Sequence, residues 1–362
     1  MSSPTKTLKL GIIGCVEITQ AVFISTIGCL RDYYRITYLC DSSHDALQHC
    51  RGLVAGASPS VTHDARELIA SPDVDAVVVM SSYEDHVAHT VMALEHNKFV
   101  IVEKPLAMSL EDADAIIAAE RKSSARVFVG YIRRYAPAFL DALNEIGSMD
   151  KIDYVRVRDI IGPNCIFISQ SGTFPKTFAA DSDQEAQDRL ARRDKILATA
   201  IVKECNVPLT AQSKRAWALL GGLGCHDISA MREVLGMPTS VVGVSLNFPF
   251  WKHYPDFAVS YESGLTNVPD FDAHIEVYSA NKIVRVKYDS AYIKGAPTTI
   301  RVVEGVGGAL RETLVRQTYE DEYTLELKEF YEAVVHGKPI KTSAQDARLD
   351  LEIFGMILQW QR

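Results

Sequence analysis

The sequence has no Cys-x-x-Cys pair, although it holds seven cysteines, at positions 15, 29, 40, 50, 165, 205 and 225. An odd, scattered set without ligand-type spacing argues against a zinc knuckle or a disulfide scaffold and for reduced thiols. Asn-x-Ser/Thr is absent as well, which agrees with a chain that stays out of the secretory pathway. Met1–Lys6 is polar and no secretory h-region precedes the first apolar run, so a cytoplasmic location is expected. Long hydrophobic runs are missing. The longest, such as Ala76–Met80 and Phe99–Val102, are strand-length and far short of the roughly 20 residues of a membrane span. There is no basic excess: 38 Lys and Arg face 46 Asp and Glu, a net charge of -8. That excludes the field which nucleic acid or an anionic membrane surface requires. No Gly-x-Ser-x-Gly elbow, P-loop or His-Glu-x-x-His array occurs, which removes the esterase, nucleotide-hydrolase and zinc-protease motifs. The ten histidines, His86 and His89 included, never stand with carboxylates at ligand spacing, so no metal site is predicted.

What is present is ordinary globular composition, 362 residues with 47% hydrophobic and 23% charged, enough for about two domains. The first 130 residues alternate short apolar runs with helical periodicity. Strands are predicted at Leu8–Ile13, Ile36–Cys40, Val61–Thr62, Ala76–Met80, Phe99–Val102 and Val127–Val129. Helices are predicted at Ile18–Leu30, Asp45–Val54, Ala65–Ala70, Glu84–Glu95 and from Ser109, an N-cap, to Arg121. Such alternation means βαβ units and a doubly wound parallel sheet. Beyond about residue 152 the pattern changes to longer alternating strands, at Asp153–Ile161, Ser240–Asn247, Ala273–Ser279, Ile283–Asp289, Thr298–Glu304 and Arg311–Thr318. Between the first two lie a polar helical insert, Asp181–Glu204, and a helix around Ala216–Leu235. Helices Thr324–Val335 and Ala344–Gln359 close the chain, and the aromatic cluster Phe248–Tyr254 reads as a loop packed on the sheet. The expected division is residues 1–130, a dinucleotide-binding α/β domain, and 131–362, an α+β domain on an open, mainly antiparallel sheet. The last helices would pack back on the first domain.

The first strand-to-helix turn reads Gly11-Ile12-Ile13-Gly14-Cys15-Val16-Glu17-Ile18-Thr19. A dinucleotide fold places glycines there for the tight turn, for close approach of the pyrophosphate and for helix packing. Counted from Gly14, Val16 occupies the second glycine position and Thr19 the third, so the fingerprint is degraded. Residues Gly14, Cys15, Val16, Glu17 and Ile18 remain the candidate phosphate turn, where helix amides can still meet an anion. Asp41 ends the second strand. Its carboxylate can accept from both ribose hydroxyls and repel a 2′-phosphate, favouring NAD over NADP; equally, it can cap the Ser42-Ser43 turn.

The densest pattern runs from 76 to 140: Ala-Val-Val-Val-Met-Ser-Ser-Tyr-Glu-Asp-His, then Phe-Val-Ile-Val-Glu-Lys-Pro-Leu-Ala-Met-Ser, then Gly-Tyr-Ile-Arg-Arg-Tyr-Ala-Pro-Ala-Phe. This resembles the glucose-fructose oxidoreductase / inositol 2-dehydrogenase / MocA-like family, and the resemblance extends to the Gly337-Lys338-Pro339 turn and the final helices. It implies that Glu103-Lys104-Pro105 closes a parallel strand beside the nicotinamide, often with a cis Lys-Pro bond. Lys104 would act as acid or base there, aimed by the proline. Ser81, Ser82, Tyr83, His86 and Glu103 match the family's cofactor-contacting loops; a lone His86 is otherwise a helix-start residue packing on its loop. Arg133, with Tyr131 beside it, falls where inositol dehydrogenase-like members hold substrate, while Arg134 can be a structural ion pair. The family's second motif, Asp-x-Gly-x-His, is here Gly222-Leu223-Gly224-Cys225-His226. His226 is retained as a candidate acid/base or a hydrogen-bonded core histidine. The carboxylate that would orient it is replaced by Gly222, and Asp227 points to another face and can only cap or salt-bridge.

The reading is an NAD-dependent oxidoreductase acting on a secondary alcohol or ketone of a sugar, polyol or related cyclic alcohol. Catalysis would fall to Lys104 and His226, and substrate contacts to Lys104, Tyr131, Arg133 and His226. The missing aspartate keeps open a cofactor-binding sensor or regulator, as a galactose-pathway repressor of the family is. A redox-neutral lyase, hydrolase or epimerase that recycles NAD is also open. The partners expected are a small-molecule substrate, no nucleic acid, no membrane, and a second copy in a homodimer or homotetramer through the C-terminal sheet.

Overall fold

The computed structural model describes residues 5–178, 183–245, 248–254, 256–296 and 298–360. Its first sheet has six parallel strands: β1 (Leu8–Ile13), β2 (Tyr34–Cys40), β3 (Ser60–Thr62), β4 (Ala76–Val79), β5 (Phe99–Glu103) and β6 (Val127–Gly130). They lie in the order β3-β2-β1-β4-β5-β6. Helices α1 (Ile24–Cys29), α2 (His44–Leu53), α3 (Ala65–Ala70), α4 (Tyr83–Glu95) and α5 (Leu110–Glu120) make the crossovers. A strand covered on both faces needs apolar side chains at every position, and β4 shows it, with Ala76, Val77, Val78 and Val79 fully buried. Val77 and Val79 join one core, Ala76 and Val78 the other. Strand order reverses between β1 and β4, so the crevice at their carboxyl ends is where such a sheet takes a ligand.

The second half builds an eight-stranded sheet in the order β14-β13-β12-β11-β7-β10-β9-β8. Its strands are β7 (Tyr154–Ile161), β8 (Ser240–Ser245), β9 (Phe248–His253), β10 (Ala258–Leu265), β11 (Phe271–Tyr278), β12 (Lys282–Tyr288), β13 (Thr299–Val306) and β14 (Ala309–Val315). Every pairing is antiparallel except β10 with β7. Helices α6 (Pro137–Gly147), α7 (Asn164–Ser169), α8 (Asp183–Leu197), α9 (Ala211–Leu219), α10 (Cys225–Leu235), α11 (Glu322–His336) and α12 (Ala344–Trp360) complete the chain. α11 lies against the first sheet, where Tyr323, Leu327, Phe330 and Tyr331 share a core with Leu8, Leu10 and Ile12. There the Tyr34 hydroxyl donates to the Leu327 carbonyl at 2.6 Å.

Three elements depart from their sequence patterns. The helix expected over Ile18–Leu30 is present and continuous from Glu17 to Cys29, but it is π-helical over Thr19–Phe23 before α1. The helix expected over Ala216–Leu235 is present and continuous from Ala211 to Leu235, but it turns π-helical over Leu220–Gly224, between α9 and α10, where three glycines weaken the regular α pattern. The aromatic cluster expected as a loop is strand β9, whose backbone pairs with β8 and β10. The predicted insert and the predicted strand Ser240–Asn247 each include residues outside the described ones, Asp181, Ser182, Leu246 and Asn247.

Candidate active site

Gly14 follows β1 and turns the chain with φ +104°, a conformation suited to glycine. A Cβ built there would meet the Met80 carbonyl carbon and the Ser81 nitrogen at 2.6 Å. Only a glycine lets this turn lie against the end of β4. The neighbouring Cys15 amide donates to an Asp41 carboxylate oxygen at 2.6 Å, and the Ser43 amide to the other oxygen at 2.8 Å. Asp41 therefore ties β2 to the turn and also faces a cavity of about 430 Å³. That cavity takes in Gly14, Cys15, Val16, Glu17, Ser81 and Ser82. Bare backbone at Gly14 and a carboxylate at the end of β2 fit the adenosine and pyrophosphate half of a dinucleotide.

A second cavity, about 400 Å³, shares Val16, Ser81 and Ser82 with the first and adds Ile18, Tyr83, His86, Glu103, Lys104, Arg133 and His226. The structure thus gathers nearly all the sequence-predicted site residues along two adjoining hollows. Tyr131 is the exception. It is 2% exposed, and its hydroxyl donates to Asp350 at 2.6 Å, beneath the site rather than in it. Asp350 also accepts from Arg232 at 2.9 Å, so Tyr131 belongs to a buried network between β6 and α12.

Lys104 sits at the end of β5 with a cis Lys104–Pro105 peptide bond. Its ammonium donates to the Gly222 carbonyl at 2.7 Å. The position where the family motif has an aspartate thus still contacts the lysine, through backbone. A Cβ on Gly222 would meet nothing within 4 Å, so the space for a side chain is there. His226 begins α10 on the same wall, and its Nδ1 is buried without a hydrogen-bond partner. Burial, with the Lys104 and Arg133 cations nearby, holds its pKa well below the usual histidine range. The imidazole is neutral at physiological pH.

His86 is nearly fully buried and spans two loops, Nδ1 to the Pro105 carbonyl and Nε2 to the Ser81 carbonyl, each at 2.8 Å. Burial lowers its pKa to about 4, against the two carbonyls that favour the charged ring. A neutral ring donates to one of them, so His86 braces the lysine turn against the β4 turn. Ser81 Oγ stands 2.9 Å from His89 Nδ1. Tyr83 is half-buried, and burial pushes its hydroxyl up to about 12. Glu103 accepts from the Lys104 amide at 3.1 Å with one oxygen, while the other is buried and unpartnered. Burial raises its carboxyl to about 7, opposed by Lys104.

Arg133 reaches the cavity wall, but its charge is already met. The guanidinium donates to Asp159 at 3.1 and 3.3 Å and to Asp227, and stacks 5.0 Å over the Tyr288 ring. Both aspartates are fully buried. Asp227, whose sequence position left it to cap or salt-bridge, does the latter. Arg134 bonds Glu233 and Asp346 and is structural. Sequence reasoning missed the wall contributed by the second sheet and the loop after β12, Phe271, Asp289 and Tyr292, and by the start of α11, Glu322 and Tyr323. No local motif marks these residues; chain topology alone brings them here. Among the described residues no three His, Cys, Asp or Glu side chains group as a metal site, and no helix is long and apolar enough to cross a membrane.

Residues 8–131 match the model of an oxidoreductase family with an NAD-binding Rossmann fold. The chain is 26% identical to the scyllo-inositol 2-dehydrogenase (NAD(+)) of Bacillus subtilis, over 81% of this chain and 77% of that one. It is 39% identical to the inositol 2-dehydrogenase of Salmonella typhimurium over a shorter stretch, 39% of this chain and 42% of that one. The fold matches the aldose-aldose oxidoreductase of Caulobacter crescentus with a TM-score of 0.70 at 16% identity, covering 99% of both chains. With this sheet order, the glycine turn against β4 and Lys104 at the mouth of β5, residues 8–131 carry the NAD-binding Rossmann domain of the glucose-fructose oxidoreductase / inositol 2-dehydrogenase / MocA-like oxidoreductase family.

Proposed function

We propose that this protein is an NAD-dependent oxidoreductase that interconverts a secondary alcohol and a ketone on an uncharged sugar, polyol or related cyclic alcohol. One observation carries the reading: the Lys104 ammonium, anchored on the Gly222 carbonyl, stands in a cavity that adjoins the dinucleotide cleft at Val16, Ser81 and Ser82. Bound there, the nicotinamide would accept or return a hydride at the substrate carbon. In oxidation Lys104 acts as its neutral amine, whose Nζ takes the hydroxyl proton to become the ammonium; in reduction the ammonium returns that proton to the carbonyl oxygen. Neutral His226 serves as a hydrogen-bond partner for the same oxygen or its neighbour. The cationic side chains on this wall are Lys104 and Arg133, and two aspartates neutralise Arg133, whereas Glu103, Asp289 and Glu322 add carboxyl groups. A phosphate or carboxylate on the substrate finds no spare arginine there, which favours a neutral polyol.

Asp41 supports NAD over NADP, because it lines the cleft at the end of β2 and a 2′-phosphate there would meet its carboxylate. The exposed Val306, Leu310 and Leu314 of β13 and β14 suit a homodimer or homotetramer through this sheet in a cytoplasmic enzyme. Gly222 favours a second reading, a dinucleotide-dependent sensor without turnover. The deciding experiment follows the nicotinamide absorbance of wild type and Lys104→Met with a panel of polyols and sugars. We expect turnover in wild type and at least about a hundredfold loss in the variant, with NAD+ affinity kept. A variant with full turnover would overturn the role of Lys104; binding without turnover on any substrate would favour the sensor.

A further inference from the structure

The dinucleotide cleft has a far wall that no motif predicts. Around the same cavity as the glycine turn stand Lys176, Phe178, Glu185, Arg189 and Arg192, all from the insert between α7 and α9. Resting on the dinucleotide reading above, we propose that Lys176 and Arg189 form a basic clasp that holds the pyrophosphate.

The turn itself is poorly equipped for that task. Two of its three glycine positions are Val16 and Thr19, and Glu17 brings a negative charge to the cavity edge. The Cys15 amide, which would otherwise face an anion, donates to Asp41 at 2.6 Å. The helix after the turn runs from Glu17 to Cys29, and after its first two residues it passes into a five-residue π-helical stretch, Thr19–Phe23, which disturbs the regular α-helical hydrogen bonding next to the turn. A pyrophosphate carries two negative charges, and counter-charge has to come from elsewhere in the cleft.

The insert supplies it in a fixed place. Gln20 is 3% exposed and ties the segment to the turn: its amide nitrogen donates to the Cys15 carbonyl at 2.9 Å and to the Lys176 carbonyl at 3.0 Å. Its oxygen accepts from the Lys176 amide at 2.8 Å. The backbone of Lys176 is therefore pinned beside the residue that follows Gly14. Phe178 packs on His49 of α2 with ring centroids 5.5 Å apart. Arg192 is bound at 3.0 Å to Asp85 of α4, which holds α8 over the cleft from the other side. Among the described residues neither Lys176 nor Arg189 has a carboxylate within ion-pair distance, so both charges remain available to a ligand.

The test is calorimetric titration of the full-length protein with ADP-ribose, NAD+ and NADP+, for wild type, Lys176→Gln, Arg189→Gln and the double variant. ADP-ribose lacks the nicotinamide, so its binding reports the clasp apart from the chemistry. We expect the double variant to lose at least about tenfold in affinity for ADP-ribose and NAD+ alike, with the loss shrinking at high salt. A Lys176→Arg/Arg189→Lys variant should keep most of the affinity. Double-variant binding within about twofold of wild type would overturn the clasp and leave the oxidoreductase reading intact. Loss confined to NADP+ would also overturn it, assigning these cations to a 2′-phosphate. A folded wild type that binds none of the three would overturn the dinucleotide reading and the clasp with it.

Discussion

Replacing Arg133 by methionine tests the largest electrostatic commitment in the site. Arg133 is 6% exposed and lies between Asp159 and Asp227, both at 0%. The substitution keeps much of the stem that packs against Phe271 and Tyr288 but leaves two carboxylates in the interior without their cation. Breaking a buried pair in this way costs about 3–5 kcal/mol. With about 2.1 cal/mol/K per residue, a chain of this length melting as one unit has an unfolding entropy near 0.76 kcal/mol/K. The melting temperature should therefore fall by about 4–7 °C. The loss must also depend on pH. Burial and Asp159 already hold the Asp227 pKa well above its usual range, against the pull of Arg133. An acid whose folded pKa exceeds its unfolded one stabilises the fold below the unfolded value, near 3.9, and loses that contribution as pH rises through the folded value. Removing Arg133 raises the folded value further, so the deficit grows from pH 5 to pH 8. The assay is thermal and urea unfolding at both pH values, with Arg133→Met/Asp227→Asn as the rescue, expected to recover about half the loss. A deficit under about 1 kcal/mol, or one equal at both pH values, would refute the account.

Gly14→Ala should weaken NAD+ binding by at least about tenfold and lower the melting temperature, because the new methyl meets β4 backbone in a left-handed turn costing about 1–3 kcal/mol; calorimetry and thermal unfolding check both. Glu103, raised to about 7 by burial, stabilises the fold below the unfolded glutamate range and loses that contribution as pH climbs through about 7. Glu103→Gln should flatten stability between about pH 5 and 8, and an unchanged slope in urea titrations would contradict this. Gly222→Asp has room for its side chain and places a carboxylate beside Lys104 and His226. Stability should stay within about 0.5 kcal/mol, and the His226 titration followed by NMR should move up; a downward or absent shift would exclude the proposed contact.

Local pattern in the sequence was enough for the first sheet, because a parallel strand buried on both faces writes itself as an unbroken apolar run, as Ala76–Val79 does. It also marked Gly14 and Asp41 by their places at strand ends, and the Glu103-Lys104-Pro105 turn and His226 through the family resemblance, and the structure sets them along two adjoining cavities. What it could not distinguish was a side chain beside the site from one within it. Tyr131 and Arg133 are two residues apart, yet the first is drawn under the cavity by Asp350 on α12 and the second is locked by aspartates on β7 and α10. Those partners are 26 to 219 positions away, and nothing local announces them. The same holds for Phe271, Asp289 and Tyr292 on the far wall and for Lys176 over the dinucleotide cleft. Periodicity and turn chemistry are short-range signals, so they determined the elements and the Glu103-Lys104-Pro105 turn. Burial, charge pairing and the closing of the cleft depend on which distant elements meet, and only the tertiary structure decided them.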